Sequence, residues 1–159
     1  YGLSVAAAAA TLTAFLLGGA AGIVAGGVLA VRSDSHDRLI AAALCGAALV
    51  ALLIASGILP AGSVFLAMGT MGFCSGIAGP SRDLLVRRAA MANFGQRAFG
   101  RVYGFVYSGL DIGLALSPLL FGALMDGGRF AAVLVGVALL QGIAVLTALR
   151  VGRNQPVST

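Results

Sequence analysis

An all-α fold, a polytopic bundle of about five membrane-spanning helices, is predicted by three features of this chain. It is 60% hydrophobic and only 9% charged, with a mean hydropathy of +1.04. A soluble domain carries roughly 25% charged residues, so this chain could not cover an aqueous surface. The charges that exist are clustered, leaving residues 1–31, 39–81, 112–125 and 130–149 free of any. A bilayer core needs about 20 mostly apolar residues per helix, which these runs supply.

The spans are read in chain order. The first covers about 5–31; at 1.5 Å per residue it is roughly 40 Å long and must tilt or protrude. The second covers 39–59 and is followed by a turn at Pro60-Ala61-Gly62. The third covers 63–79 and is expected to stop at Pro80. An arginine-rich stretch, 81–101, is then expected as a cytoplasmic loop; Leu84, Leu85, Ala89 and Phe94 among its charges leave open an amphipathic surface helix. The fourth span covers 102–125, a tight turn follows at Asp126-Gly127-Gly128-Arg129, and the fifth covers 130–149. Together, residues 1–150 form one bundle, and 151–159 a polar, disordered cytoplasmic tail. Barrel strands are excluded because they alternate over about ten residues, whereas these runs are continuous and longer.

Charge placement orients the bundle. The net charge of +5 comes wholly from arginine. With five alternating spans, Arg32, Arg38, Arg82, Arg87, Arg88, Arg97, Arg101, Arg150 and Arg153 share one side and Arg129 stands alone on the other. The positive side is cytoplasmic, so the C-terminus is expected inside and Tyr1 outside. The arginines flank apolar runs with no interleaved stacking aromatics, which excludes nucleic acid as a partner and leaves the lipid bilayer. Nothing before the first run has the charged region or cleavage site of a signal peptide, and the opening at Tyr1 is read as a cut from a longer polypeptide.

Glycine numbers 24 in the chain, much of it at four-residue spacing. Gly18, Gly22 and Gly26 form one ridge, Gly72 and Gly76 a second, Gly109 and Gly113 a third. Such ridges let helix backbones approach closely in lipid, and are read first as packing surfaces and second as sliding surfaces.

Candidate functional residues are few. Asp111 is the lone charge inside a span, within about 4 Å of its middle at 1.5 Å per residue. A charge there costs roughly 2.5–3.5 kcal/mol and should face protein or water. Tyr103, Tyr107, Ser108, Asp111, Ala115 and Pro118 fall on one arc of about 140° at 100° per residue. The functional reading places Asp111 in a substrate or proton pathway; the structural one gives it a hydrogen bond to Gln141 or a threonine. Gln141 reads as interhelical glue or pathway lining. Tyr103 and Tyr107 could stack on substrate or anchor at the interface. Arg82 and Asp83 pair with each other or act as a gate. His36 is expected solvated in a loop. Cys45 and Cys74 read as small packed hydrophobes, and two cysteines make no zinc site. With no phosphate loop, nucleophile–base pair or metal cluster, neither an enzyme nor a cofactor is expected.

The stretch GGVLAVRSDSHDR, Gly26 to Arg38, resembles the signature loop of the major facilitator superfamily, roughly G-x-L-A-D-R-x-G-R-R. Gly27, Leu29, Ala30 and Arg32 match it; Val31 stands in place of the family's aspartate, and a looser Asp34-Ser35-His36-Asp37-Arg38 follows. Degraded copies of this kind resemble the second half of such transporters. GRVYGFVYSGLDIGLALSPLLFGALMD, Gly100 to Asp126, is similar to the eleventh helix of bacterial drug-efflux members, with Ser117 replacing a glycine. GPSRDLLVRR, Gly79 to Arg88, resembles the exit of the tenth helix, and the fosmidomycin-resistance-like group is the nearest in character. The resemblance implies that the five spans are the eighth to twelfth helices of a secondary transporter in the bacterial inner membrane. It further implies proton-coupled efflux of a small organic solute, with the missing N-terminal half as partner. The alternatives are a non-transporting membrane subunit that packs through its glycine ridges and, with no convergent catalytic groups to support it, a membrane enzyme.

Overall fold

The computed structural model describes residues 1–95, 97 and 99–153, and among these there is no strand. Five helices follow in order: α1 Val5–Arg32, α2 His36–Ala55, α3 Val64–Phe94, α4 Phe99–Asp126 and α5 Phe130–Arg153, with one 3₁₀ turn at Ala61–Ser63. All five helices are long and apolar enough to cross a membrane. Ser4 caps α1 by accepting from the Ala7 amide at 3.3 Å.

Within the bundle, α1 lies on α3, α3 on α2, and α2 on α5, while α4 touches α3 and α5 only sparsely. Glycine sets the first of these contacts. A side chain begun at Gly18 would collide with the Gly69 carbonyl, one at Gly22 with that of Phe73, and one at Gly26 would come within 2.6 Å of the Ile77 oxygen. From the other side, Gly72 and Gly76 meet the carbonyls of Phe15 and Gly19. The pairs ascend together in number, so α1 and α3 run parallel at backbone-to-backbone distance. Lipid gives such helices no hydrophobic drive toward each other, and close packing of this kind takes its place.

The α2 seam is antiparallel to α3. Ile40 and Ala43 cluster with Ala78 and Leu85, and further along Ala47, Ala51 and Ile54 cluster with Met71. On its other flank α5 adds Ala148 to the first cluster and Ala138 to the second. At the far end the Tyr1 hydroxyl donates to the Ile54 carbonyl at 2.8 Å, tying the N-terminus to the end of α2.

Several expected boundaries move. The third helix does not stop at Pro80: α3 continues to Phe94, so 81–94 is helix rather than loop. Proline disfavours a helix by clashing with the Cβ of the preceding residue and with the carbonyl four residues back. Gly79 precedes Pro80 and has no Cβ to clash. The break comes instead at Gly95, whose φ of +74° only glycine adopts freely. Similarly α2 ends at Ala55, short of residue 59, because Gly57 turns left-handed at φ +71° and its amide bonds the Ile54 carbonyl. Helix α5 carries on through Arg153, into the expected tail; residues 154–159 lie outside the described residues. Of the signature-like stretch, Gly27, Leu29 and Arg32 belong to the last turns of α1 and Arg38 to α2, leaving only Ser33, Asp34 and Ser35 as connection.

Candidate functional site

Four of the expected site residues meet where α3 and α4 cross. Arg82 and Asp83 follow Pro80 on α3, where Ser81 and Leu85 are buried and Arg82 and Asp83 stay partly exposed. Tyr103 and Tyr107 are one turn apart on α4, so their side chains lie side by side. The Tyr103 hydroxyl donates to the Tyr107 hydroxyl at 3.0 Å, which donates to Asp83 Oδ1 at 3.1 Å. Arg82 Nε and Nη2 reach the same oxygen at 3.2 Å each. One carboxylate oxygen thus accepts from three donors, two of them charged.

The aromatic rings reinforce the arrangement. Tyr103 and Tyr107 stack with centroids 4.6 Å apart, and Phe99 extends the ladder at 5.3 Å from Tyr103. The Arg82 guanidinium sits 5.8 Å from the Tyr107 ring centre, within cation–π range. Phe99 is the member the sequence reading passed over; its position four residues before Tyr103 was the available signal. The network is half-open: Arg82 and Asp83 are 44% and 39% exposed. It has spare donors and an unshared carboxylate oxygen, so it can bind a polar or charged group as well as pin α4 to α3.

Asp111 continues the same stripe, four residues beyond Tyr107 and about 6 Å deeper along the axis. It is exposed, and no hydrogen bond or ion pair engages it among the described residues. The bond to Gln141 or a threonine is not formed. Gln141 instead buries its Oε1 on α5 with no hydrogen-bond partner among the described residues. Ser108 turns its hydroxyl back to the Gly104 carbonyl at 2.8 Å.

No residue of α4 is buried. Gly109 and Gly113 meet no atom that an added side chain would approach within 4 Å, so this ridge packs against nothing here, unlike those of α1 and α3. Helix α4 is held by the polar network near its start and, near its end, by the Phe121 ring over Gly136 and the Gly127-Gly128 turn.

His36 also departs from expectation. It opens α2 rather than sitting in a loop, and it is 2% exposed. The folded bundle buries it, which local sequence does not encode. Elsewhere, an open groove between α1 and α3, lined by Leu17, Phe65, Leu66 and Phe73, carries no charged group. Cys45 and Cys74 are free thiols, and no metal-binding cluster occurs among the described residues. No protein-family model, no curated protein and no solved structure matches this chain.

Proposed function

We propose that the chain is most of the C-terminal half of a major facilitator-type secondary transporter, moving a small organic solute outward across a bacterial inner membrane against a proton gradient. The observation that carries this reading is Asp111, an unpartnered carboxylate in the middle of a helix with no buried residue. At mid-bilayer such a group costs roughly 2.5–3.5 kcal/mol unless protein or water covers it. Among the described residues nothing does. A missing N-terminal half facing α4 across a wet cavity supplies both cover and water, and in such folds the site lies at the midplane between halves.

The stripe Tyr103–Tyr107–Asp111 then lines one wall of the cavity, with Asp111 taking up the proton or meeting a cationic part of the solute. Arg82 and Asp83 stand at its cytoplasmic mouth as a gate. The nine-to-one arginine asymmetry supports a cytoplasmic C-terminus. The test is Asp111→Asn in the intact protein: proton-driven transport is lost while the protein still reaches the membrane. Unchanged coupled transport rejects the role. A resistance screen in an efflux-deficient strain names the solute.

A second reading, a non-transporting membrane subunit, draws on the open ridge of Gly109 and Gly113, which a partner helix could fill. About seven further spans encoded upstream favour the transporter; a start codon directly before Tyr1 favours the subunit.

A further inference from the structure

His36 is the one histidine in the 159 residues. It is 2% exposed, and neither ring nitrogen has a hydrogen-bond partner among the described residues. It stands in the polar first turn of α2, ahead of the charge-free run that begins at Leu39 and is read as the membrane span. Its surroundings come from three elements. Its own turn contributes Asp34 and Asp37. From α3 the charge that reaches it is Arg88. From α5, Gly152 packs directly on the Asp37 side chain, while Arg150 and Arg153 are exposed.

A neutral imidazole tolerates this seat. An imidazolium would present two charged N–H donors that no acceptor meets among the described residues, beside a guanidinium. Burial first, and then Arg88, holds the imidazole below its ordinary value of 6.5, against a weaker upward pull from Asp34 and Asp37. Because the folded value is depressed, the neutral seat contributes fully above the ordinary value. That contribution is lost as pH falls from there toward the folded value.

We propose that His36 is an acid-sensitive anchor: neutral, it seats the α1–α2 turn against α3 and α5, and protonated, it leaves that seat for water and frees the turn. The connection is short enough for the effect to be local. Only Ser33, Asp34 and Ser35 lie outside helix, and the rest of α2 remains held by its apolar seams with α3 and α5. The inference does not depend on a transport role.

The test follows the sole imidazole by NMR of the full chain in micelles, alongside amide exchange at about pH 7.5 and about pH 5.5, corrected for intrinsic rates. Exchange over 33–40 is expected to rise on acidification, by at most about tenfold, since pH 5.5 lies one unit below the ordinary value. Residues 64–78 of α3 stay protected. His36→Leu removes the rise, and Arg88→Gln raises the imidazole midpoint and shrinks the rise. If His36→Leu does not fold, the native titration and Arg88→Gln decide. An imidazole that titrates at its ordinary value overturns the proposal. So does a rise spread across α3, or identical profiles in the native chain and His36→Leu.

Discussion

The Tyr107 hydroxyl donates to the Asp83 carboxylate at 3.1 Å, and among the described residues this is the side-chain hydrogen bond that joins α4 to α3. A hydrogen bond to a charged group is worth about 1.5–3 kcal/mol when well shielded. Asp83 is 39% exposed, so about 0.5–1 kcal/mol is the better expectation. Tyr107→Phe should keep the ring stack and lose the tie. Amide exchange over the first half of α4 should rise a few-fold, with α1 and α3 unchanged. Asp83→Asn should do the same, and the double variant should add little to either single change. Additive effects would mean that the two side chains are not coupled in solution.

The glycines of α1 are not equivalent, although composition treats them alike. At Gly22 a side chain would run into the Phe73 carbonyl, whereas Gly27, five residues on and on another face, has nothing within 4 Å. Gly22→Leu should therefore separate α1 from α3 and unfold the pair at markedly lower temperature in detergent. The loss should be on the order of 3 kcal/mol or more, since backbone cannot move aside as a flexible side chain would. Gly27→Ala should be neutral or stabilising by up to about 1 kcal/mol, the ordinary helix-propensity gain. Equal melting shifts for the two would show that this interface is not set by backbone contact.

Much of this was readable from residues in order, and the failures have physical causes. Periodic charge-free runs located all five helices because lipid demands length and apolarity and little else. Four-residue glycine spacing marked the α1 and α3 faces, but the same spacing at Gly109 and Gly113 found no neighbour. Spacing states that an approach is possible, not that a partner exists within the chain. Pro80 misled because the rule for proline assumes a Cβ at the residue before it, and here that residue is Gly79. His36 misled because its polar flanks, Asp34, Asp37 and Arg38, read as solvated. Its burial is a property of the folded bundle, not of its neighbours in sequence. Tyr103 and Tyr107 were marked by their shared arc, and Arg82 and Asp83 by their adjacency. Only the crossing of α3 and α4 joined the two pairs.

The arginine asymmetry makes a statement about sides that labelling can check. The asymmetry assigns Arg87 to the positive, expected cytoplasmic side and Arg129 to the opposite one. In a variant with Cys45 and Cys74 replaced, cysteines introduced singly at positions 87 and 129 should react with an impermeant maleimide from opposite sides of sealed vesicles. Reaction from the same side would remove either one span or the orientation. The extension of α3 to Phe94 sharpens the experiment, because Arg87 then projects from a helix rather than a loop and its label has a defined position along an axis.

The last prediction separates what Asp111 does for this chain from what it does for a larger assembly. If nothing within these residues pairs with it, replacing it by an apolar side chain should help this polypeptide. Insertion scales place aspartate at about +2.5 to +3.5 kcal/mol at a helix centre and leucine at about −0.3 to −0.6. Asp111→Leu should thus favour insertion of α4 by about 3–4 kcal/mol, read as the inserted fraction in a translocation assay. Thermal stability of the rest of the bundle should hold, because α4 buries no residue and Asp111 bonds nothing. In the intact protein the same change should abolish proton-coupled transport, so one substitution moves the two readouts in opposite directions. A marked loss of stability in this chain alone would instead mean that the carboxylate has a partner within it. The case for a missing half covering α4 would then fail at its starting observation.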